Sequence, residues 1–238
     1  MARPALVFDI ETIADLTDDN RDAVAALARD REQTPEHYGA LCPPLARVAC
    51  VAWYDTAAQT LGALFDASLH HGAAPTALDV PGATGPVSCA VRGCESEARL
   101  LDEFGRVVDA HVTQRRGQLV TFNGRGFDLP VLVHRSLKHG VKPGRALLAK
   151  AAGEYRYKPS LHIDLMDTAT FIGASPRWPL AAYAVGHGWP SPKSEMSGAQ
   201  VWPAIQEGRL LDVVRYCAGD VLATTHLYRQ LAPLVPNE

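Results

Sequence analysis

The chain has 238 residues, 47% of them hydrophobic and 21% charged, and a formal net charge of −3. That is enough apolar material for a sizeable core, and the charge argues against a generic polyanion binder. No run reaches the ~18 consecutive apolar residues of a membrane span, and a strand starting five residues in leaves no room for a secretory leader, so a soluble cytoplasmic protein is expected.

In chain order, ALVFDIE (residues 5–11) reads as a first strand, apolar until it meets two carboxylates. Residues 17–32 have an acidic start and Val24, Leu27 and Ala28 at helical spacing, so a helix is expected there. RVACVAWYD (47–55) and TLGALFD (60–66) read as a hairpin of two strands. The stretch 70–94, rich in Gly, Pro and Ala, shows no periodicity and is expected to be a long loop. Leu100, Leu101, Phe104, Val107, Val108 and Val112 recur at helical spacing and predict an amphipathic helix over 96–112. QLVTFNG (118–124) is a strand ended by Asn-Gly, and 128–140 a helix with Asp at its start, Pro130 in its first turn and Gly140 past its end. SLHIDLMD (160–167) is a short strand entering a helix, and further helices are expected at 178–187, 197–207 and 209–232. Without an internal repeat or linker, this order predicts a single α/β domain over 1–238, its mixed sheet antiparallel at the start and parallel where helices cross over.

The two acids of the first strand are its anomaly. A strand sends residues i and i+2 to one face, so Asp9 and Glu11 crowd together, and such charges repel unless a cation lies between them. A second Asp-x-Glu, Asp30 with Glu32, sits in a charged helical stretch and reads as a solvated face. In TFNGRGFDLPVL (121–132), Asp128 stands where a helix begins, as a cap or as a ligand. In RYCAGDVLATTHLYRQL (215–231), Tyr216 and Asp220 share a helix face, either as an exposed polar pair or as part of a site. Their flanks Val213, Val214, Cys217, Val221, Leu222 and Leu227 are apolar and favour the site. Four carboxylates on strand ends and helix starts suit a two-cation centre, because Mg²⁺ takes oxygen ligands and keeps several waters.

DIE, NGRGFD and YCAGD, in this order and these contexts, resemble the motifs of the DEDD 3′–5′ exonucleases of the ribonuclease H-like superfamily. The spacing Tyr-x3-Asp is that of the tyrosine (DEDDy) subgroup; the histidine subgroup would carry His where this chain has Arg215. Over residues 5–232 the chain is similar to stand-alone predicted exonucleases related to the proofreading domain of family B DNA polymerases, with SEARLLDEF, HIDLMD and KSEMSGAQVW as further matching stretches. The resemblance implies a ribonuclease H-like fold, a five-stranded mixed sheet with its first three strands antiparallel, flanked by helices. It implies Asp9, Glu11, Asp128 and Asp220 as ligands of two divalent cations, Mg²⁺ or Mn²⁺, with Asp9 touching both ions and Tyr216 orienting the attacking water. The implied reaction is hydrolysis of single-stranded DNA from its 3′ end, releasing nucleoside 5′-monophosphates. Lys193 would touch the scissile phosphate, Asn123 would bond the terminal nucleotide or serve as a turn residue, and Phe127 would stack on a base or pack in the core.

Other features bear on the same reading. Residues 115–193 carry 12 basic against 4 acidic residues, whereas residues 1–114 carry 8 against 17, so the middle of the chain could form a face that tracks phosphates. EYRYKP (154–159) interleaves aromatics with Arg156 and Lys158 in the same manner, or is a solvated loop. Asp164 in HIDLMD reads as a cap or a supporting acid rather than a ligand. The five cysteines contain no CxxC, and Cys89 with Cys94 lacks a second pair, so free thiols are expected rather than a zinc site. Two other functions remain open: an RNA 3′–5′ exonuclease of ribonuclease D-like specificity, and a nucleic-acid-binding module without catalysis. The complete set of four acids plus tyrosine speaks against the latter.

Overall fold

The computed structural model describes residues 3–144, 147, 161–189 and 196–234. Strand β1 (Ala5–Ala14) lies inside the sheet, and its side chains alternate between two apolar clusters. Ala5, Val7 and Ile13 join one cluster; Leu6, Phe8 and Ile10 join the other. Burial on both faces explains why this strand is a continuous apolar run. β2 (Ala46–Asp55) pairs antiparallel with β1, and β3 (Thr60–Asp66) antiparallel with β2, as expected. On the other side β6 (Gln118–Thr121) runs parallel to β1, and β7 (His162–Asp164) parallel to β6.

The sheet has seven strands among the described residues, ordered β4-β5-β3-β2-β1-β6-β7, where five were expected. The extra pair comes from the segment expected to be a loop. β4 (Ala77–Gly82) and β5 (Gly85–Cys94) form a hairpin whose second strand lies parallel to β3. Only Val80 of β4, and Cys89, Val91 and Cys94 of β5, are buried, while the alternating positions carry Pro, Gly, Ser and Arg. The alternation is present but written in small and polar residues, so hydropathy alone does not reveal it. Pro81 is tolerated because β4 is an edge strand.

Helices cover both faces. α1 (Arg21–Arg29) is shorter than expected, and the chain restarts as α2 (Pro35–Leu41), whose cap Thr34 accepts a hydrogen bond from the His37 amide. The Thr-Pro pair was the available signal for that second start. α3 (Glu97–Asp109) and α4 (Asp128–Lys138) pack on the Leu6 face, with Leu100, Phe104, Val131 and Leu132 buried. After β7 come α5 (Leu165–Ala169), α6 (Leu180–Gly186), α7 (Val201–Gln206) and α8 (Leu210–Leu231). α8 lays Val213, Val214, Cys217, Ala218 and Val221 on the Val7 face. Among the described residues no helix is long and apolar enough to cross a membrane.

A buried ion network locks α3 and α4 to the sheet. Arg135, 1% exposed, donates to both carboxylate oxygens of Glu97 at 2.8 and 2.5 Å, and to Asp15 at 2.8 Å. Glu97 also accepts from the Val48 amide and contacts His139, while Lys138 donates to Asp15. A buried arginine is tolerable only with partners on its donors, and here both partners are carboxylates.

Candidate active site

Asp9 and Glu11 continue the row of Ala5 and Val7 and therefore face α8. Pairing of β1 with β6 covers only residues 5–7, so the acids emerge where the neighbouring strand stops. Opposite them, the β1–β2 register shifts between Glu11 and Thr12. The extra residue lies on β2: Ala49 and Cys50 are consecutive yet both belong to the Val7-face cluster. Such a bulge re-aims side chains beside a site.

α8 brings the C-terminal motif to this point. A carboxylate oxygen each from Asp9, Glu11 and Asp220 lie within 4.8 Å of one another. Tyr216, one turn before Asp220, hydrogen-bonds its carboxylate. Between them on the inner face, the Cys217 thiol donates to the Asp9 carbonyl at 3.4 Å, with the Asp9 carboxylate 3.8 Å away. Cys217 and its hydrogen-bond partner Cys50 thus form a floor beneath Asp9 that motif reading overlooked. Their sequence signals were position alone: Cys50 is the register partner of Glu11, and Cys217 precedes Asp220 by three on the helix.

Asp128 arrives from the loop after β6. The reading of Asp128 as a helix cap is not what the structure holds: Phe127 occupies the cap position, and Asp128 is the first helical residue. It is 4% exposed, and the backbone amide of Ile10 on the open edge of β1 hydrogen-bonds it. Its Oδ1 is buried with no hydrogen-bond partner among the described residues.

The electrostatics are those of crowded acids. Burial, then the charges of Asp128, Glu11 and Asp220, push the Asp9 carboxyl well above the usual carboxylate range. Burial raises Asp128 to about 7, with Asp164 adding to the rise and the amides of Asp128 and Ile10 opposing it. Burial and the adjacent Asp220 and Glu11 raise the Tyr216 phenol, so it stays a protonated donor at any ordinary pH. Low-dielectric carboxylates in this number are stable only with protons or cations among them. The oxygen-only donor set and the orphaned Asp128 Oδ1 fit a hard divalent cation.

Asp164 proves to be the clamp of the Asp128 loop. It caps α5 through the Met166 amide at 3.0 Å, and accepts the amides of Asn123 and Arg125 at 2.8 and 2.9 Å. Arg125 is further held by Asp167 at 2.8 Å. Asn123 adopts φ 67°, a left-handed conformation Asn tolerates. A Cβ on Gly124 would sit 2.3 Å from Thr121 Oγ1, so the chain can turn off β6 only through glycine. Phe127 is half-buried against the Leu6-face cluster. Lys193 and the 154–159 stretch lie outside the described residues.

The family described as predicted 3′–5′ exonucleases related to the exonuclease domain of PolB matches residues 90–235. That match includes Asp128, Tyr216 and Asp220, and begins after Asp9 and Glu11. Among solved structures, the family B DNA polymerase from the hyperthermophilic archaeon Pyrobaculum calidifontis is similar with a TM-score of 0.59 and 18% identity. The similarity covers 98% of this chain and 25% of that polymerase chain, so this chain spans about a quarter of its length. At this identity the likeness is one of fold, and the fold is the α/β, ribonuclease H-like architecture expected, with seven strands rather than five. No curated protein matches the chain.

Proposed function

The chain belongs to the family of predicted 3′–5′ exonucleases related to the exonuclease domain of PolB, and from that premise we propose that it hydrolyses single-stranded DNA from the 3′ end. The products are nucleoside 5′-monophosphates, and the cofactors are two divalent cations, Mg²⁺ or Mn²⁺. The observation that carries this reading is the meeting of Asp9 and Glu11 from the first strand with Asp220 from the last long helix, within 4.8 Å.

Asp9, Glu11, Asp128 and Asp220 are the residues that hold the cations. When bound, such cations would supply activation of the attacking water and stabilisation of the leaving oxygen. Tyr216 gives its proton to the hydrogen bond with Asp220, which leaves the phenol lone pairs to accept from a water and aim it. Asn123 and Phe127 stand on the loop that delivers Asp128; Asn123 is assigned to the terminal nucleotide, and Phe127, packed in part against the core, to stacking on a base. Asp164 holds that loop, so it positions Asp128 without touching substrate.

The test is degradation of a 5′-labelled single-stranded DNA and its RNA counterpart in Mg²⁺, Mn²⁺ or EDTA, by wild type, Asp9→Ala and Asp220→Ala. The expected result is a metal-dependent ladder shortening from the 3′ end of the DNA, lost by about a thousandfold or more in both variants. Preferential shortening of the RNA would reassign the substrate. Folded wild-type protein that cleaves neither polymer would overturn the reading.

A further inference from the structure

The mechanism leaves unexplained one cavity at the end of β1 that carries the acids. It has a volume of about 380 Å³ and opens between α2 and α7, with Thr12, Glu36, His37, Gly198, Trp202 and Pro203 among its walls. That volume falls within the ~300–1,000 Å³ typical of small-ligand sites. Thr12 directly follows Glu11, its side chain on the opposite face of β1, so the wall begins one residue, ~3.8 Å of chain, from a proposed metal ligand.

Trp202 is the aromatic residue of α7 in this wall, whose placement the core does not require. Its helix neighbours Val201, Ala204 and Ile205 are 1%, 0% and 6% exposed, whereas Trp202 is 36% exposed and turned to the cavity. Both walls are preformed. Thr34 caps α2, the Thr12 hydroxyl donates to the Ala40 carbonyl at 2.7 Å, and the Gln200 side chain accepts the Ser197 amide at 2.8 Å ahead of α7. Among the described residues no Lys or Arg lines the space, which disfavours a phosphate as occupant. An indole face beside a carboxylate and an imidazole instead suits a flat heterocycle with donors and acceptors on its edge. Glu36 is steadied by Arg21 at 3.6 Å and can accept from an exocyclic amine.

We propose that this cavity is a nucleobase pocket in which Trp202 stacks on one base of the single strand whose 3′ end lies at the acids. The inference rests on the exonuclease reading and adds a fixed register: one nucleotide, at a set distance from the cleaved bond, is held by its base. His37 and Glu36 contact the edge of that base, and the floor at Thr12 limits its depth.

The experiment uses the full chain and a 5′-fluorescein oligodeoxynucleotide, intact or with one abasic residue walked inward from the 3′ end. Binding is read by anisotropy in EDTA, hydrolysis in Mn²⁺, and folding of each variant by its melting temperature. The expected result for wild type is one position at which the abasic residue weakens binding about fivefold or more. Trp202→Ala is expected to bind the intact strand about tenfold more weakly and to lose that position dependence, while Trp202→Phe retains both. Trp202→Ala with unchanged affinity and an unchanged abasic profile would overturn the pocket while wild-type hydrolysis persists. A wild-type profile that is flat across positions would overturn it equally. Wild type that neither binds nor cleaves the strand would instead overturn the exonuclease reading beneath it.

Discussion

Tyr216 shows how one residue can be read at two levels. Its spacing from Asp220 places both on one helix face, and its environment then keeps the phenol protonated and bonded to the acid. If its work is to aim a water, removing the hydroxyl leaves the cation ligands and the fold in place. Tyr216→Phe is therefore expected to lower kcat about 100-fold, with substrate affinity and melting temperature near wild type, in single-turnover and thermal-unfolding assays. Asp164 teaches the converse. It is an acid beside the acid cluster, yet three backbone amides occupy its carboxylate, and its function is to hold residues 123–125. Cys217 and Cys50 show that the ground beneath Asp9 matters too, since a small, soft pair lets α8 approach β1 closely.

The β4–β5 hairpin and the α3–α4 clamp illustrate how elements are stabilised by different means. The hairpin extends the sheet through backbone pairing to β3 and a few buried side chains, with Val80 fully covered. The clamp works by charge. Burial acts to raise Asp15, but the hydrogen bonds and charges of Lys138 and Arg135 prevail and hold it below the usual carboxylate value. Asp55 behaves alike: burial opposes, and the amides of Ala58 and Ala57 with His111 and Arg115 lower it. Acids depressed in the folded state bind fewer protons there than in the unfolded chain, so they stabilise above the unfolded value of ~3.9. That contribution is lost as pH falls below ~4 through their folded values. The melting temperature is expected to drop over this acid window, and Asp15→Asn to lower it at pH 7 while flattening the acid slope. A slope unchanged in Asp15→Asn would remove Asp15 from the account.

At the scale of the molecule, the chain joins its two ends at the site: β1 supplies Asp9 and Glu11, and α8, some 200 residues later, supplies Asp220. The like charges gathered there oppose folding unless protons or cations join them. A ligand that binds only the folded state stabilises by about 2.7 kcal/mol at a hundred times its Kd, or about 5–10 °C for a protein of this size. Saturating Mn²⁺ is therefore expected to raise the wild-type melting temperature by that order, EDTA to reverse it, and Asp9→Ala to show little response. An equal rise in Asp9→Ala would place the cation elsewhere.

How much of this was legible beforehand depends on whether the information is local. The apolar run ending in Asp9 and Glu11, the Asn-Gly turn before Asp128 and the four-residue step from Tyr216 to Asp220 are local patterns, and they determined the central strands, the main helices and the candidate acids. The hairpin at 77–94 was hidden because its pairing is made by backbone, with little apolar alternation to announce it. Asp128 and Asp164 are both acids at helix starts, and motif reading set Asp164 apart as a cap or supporting acid without giving the physical reason. The folded chain supplies that reason, giving one a buried oxygen with no hydrogen-bond partner among the described residues and the other three amides. The Trp202 cavity likewise exists only once α2 and α7 close on the end of β1. Periodicity and spacing decide what a segment becomes, because they act through neighbours in the chain. Which carboxylates share a cation and which hold a loop is decided by contacts between residues far apart in sequence, and that is a property of the tertiary structure alone.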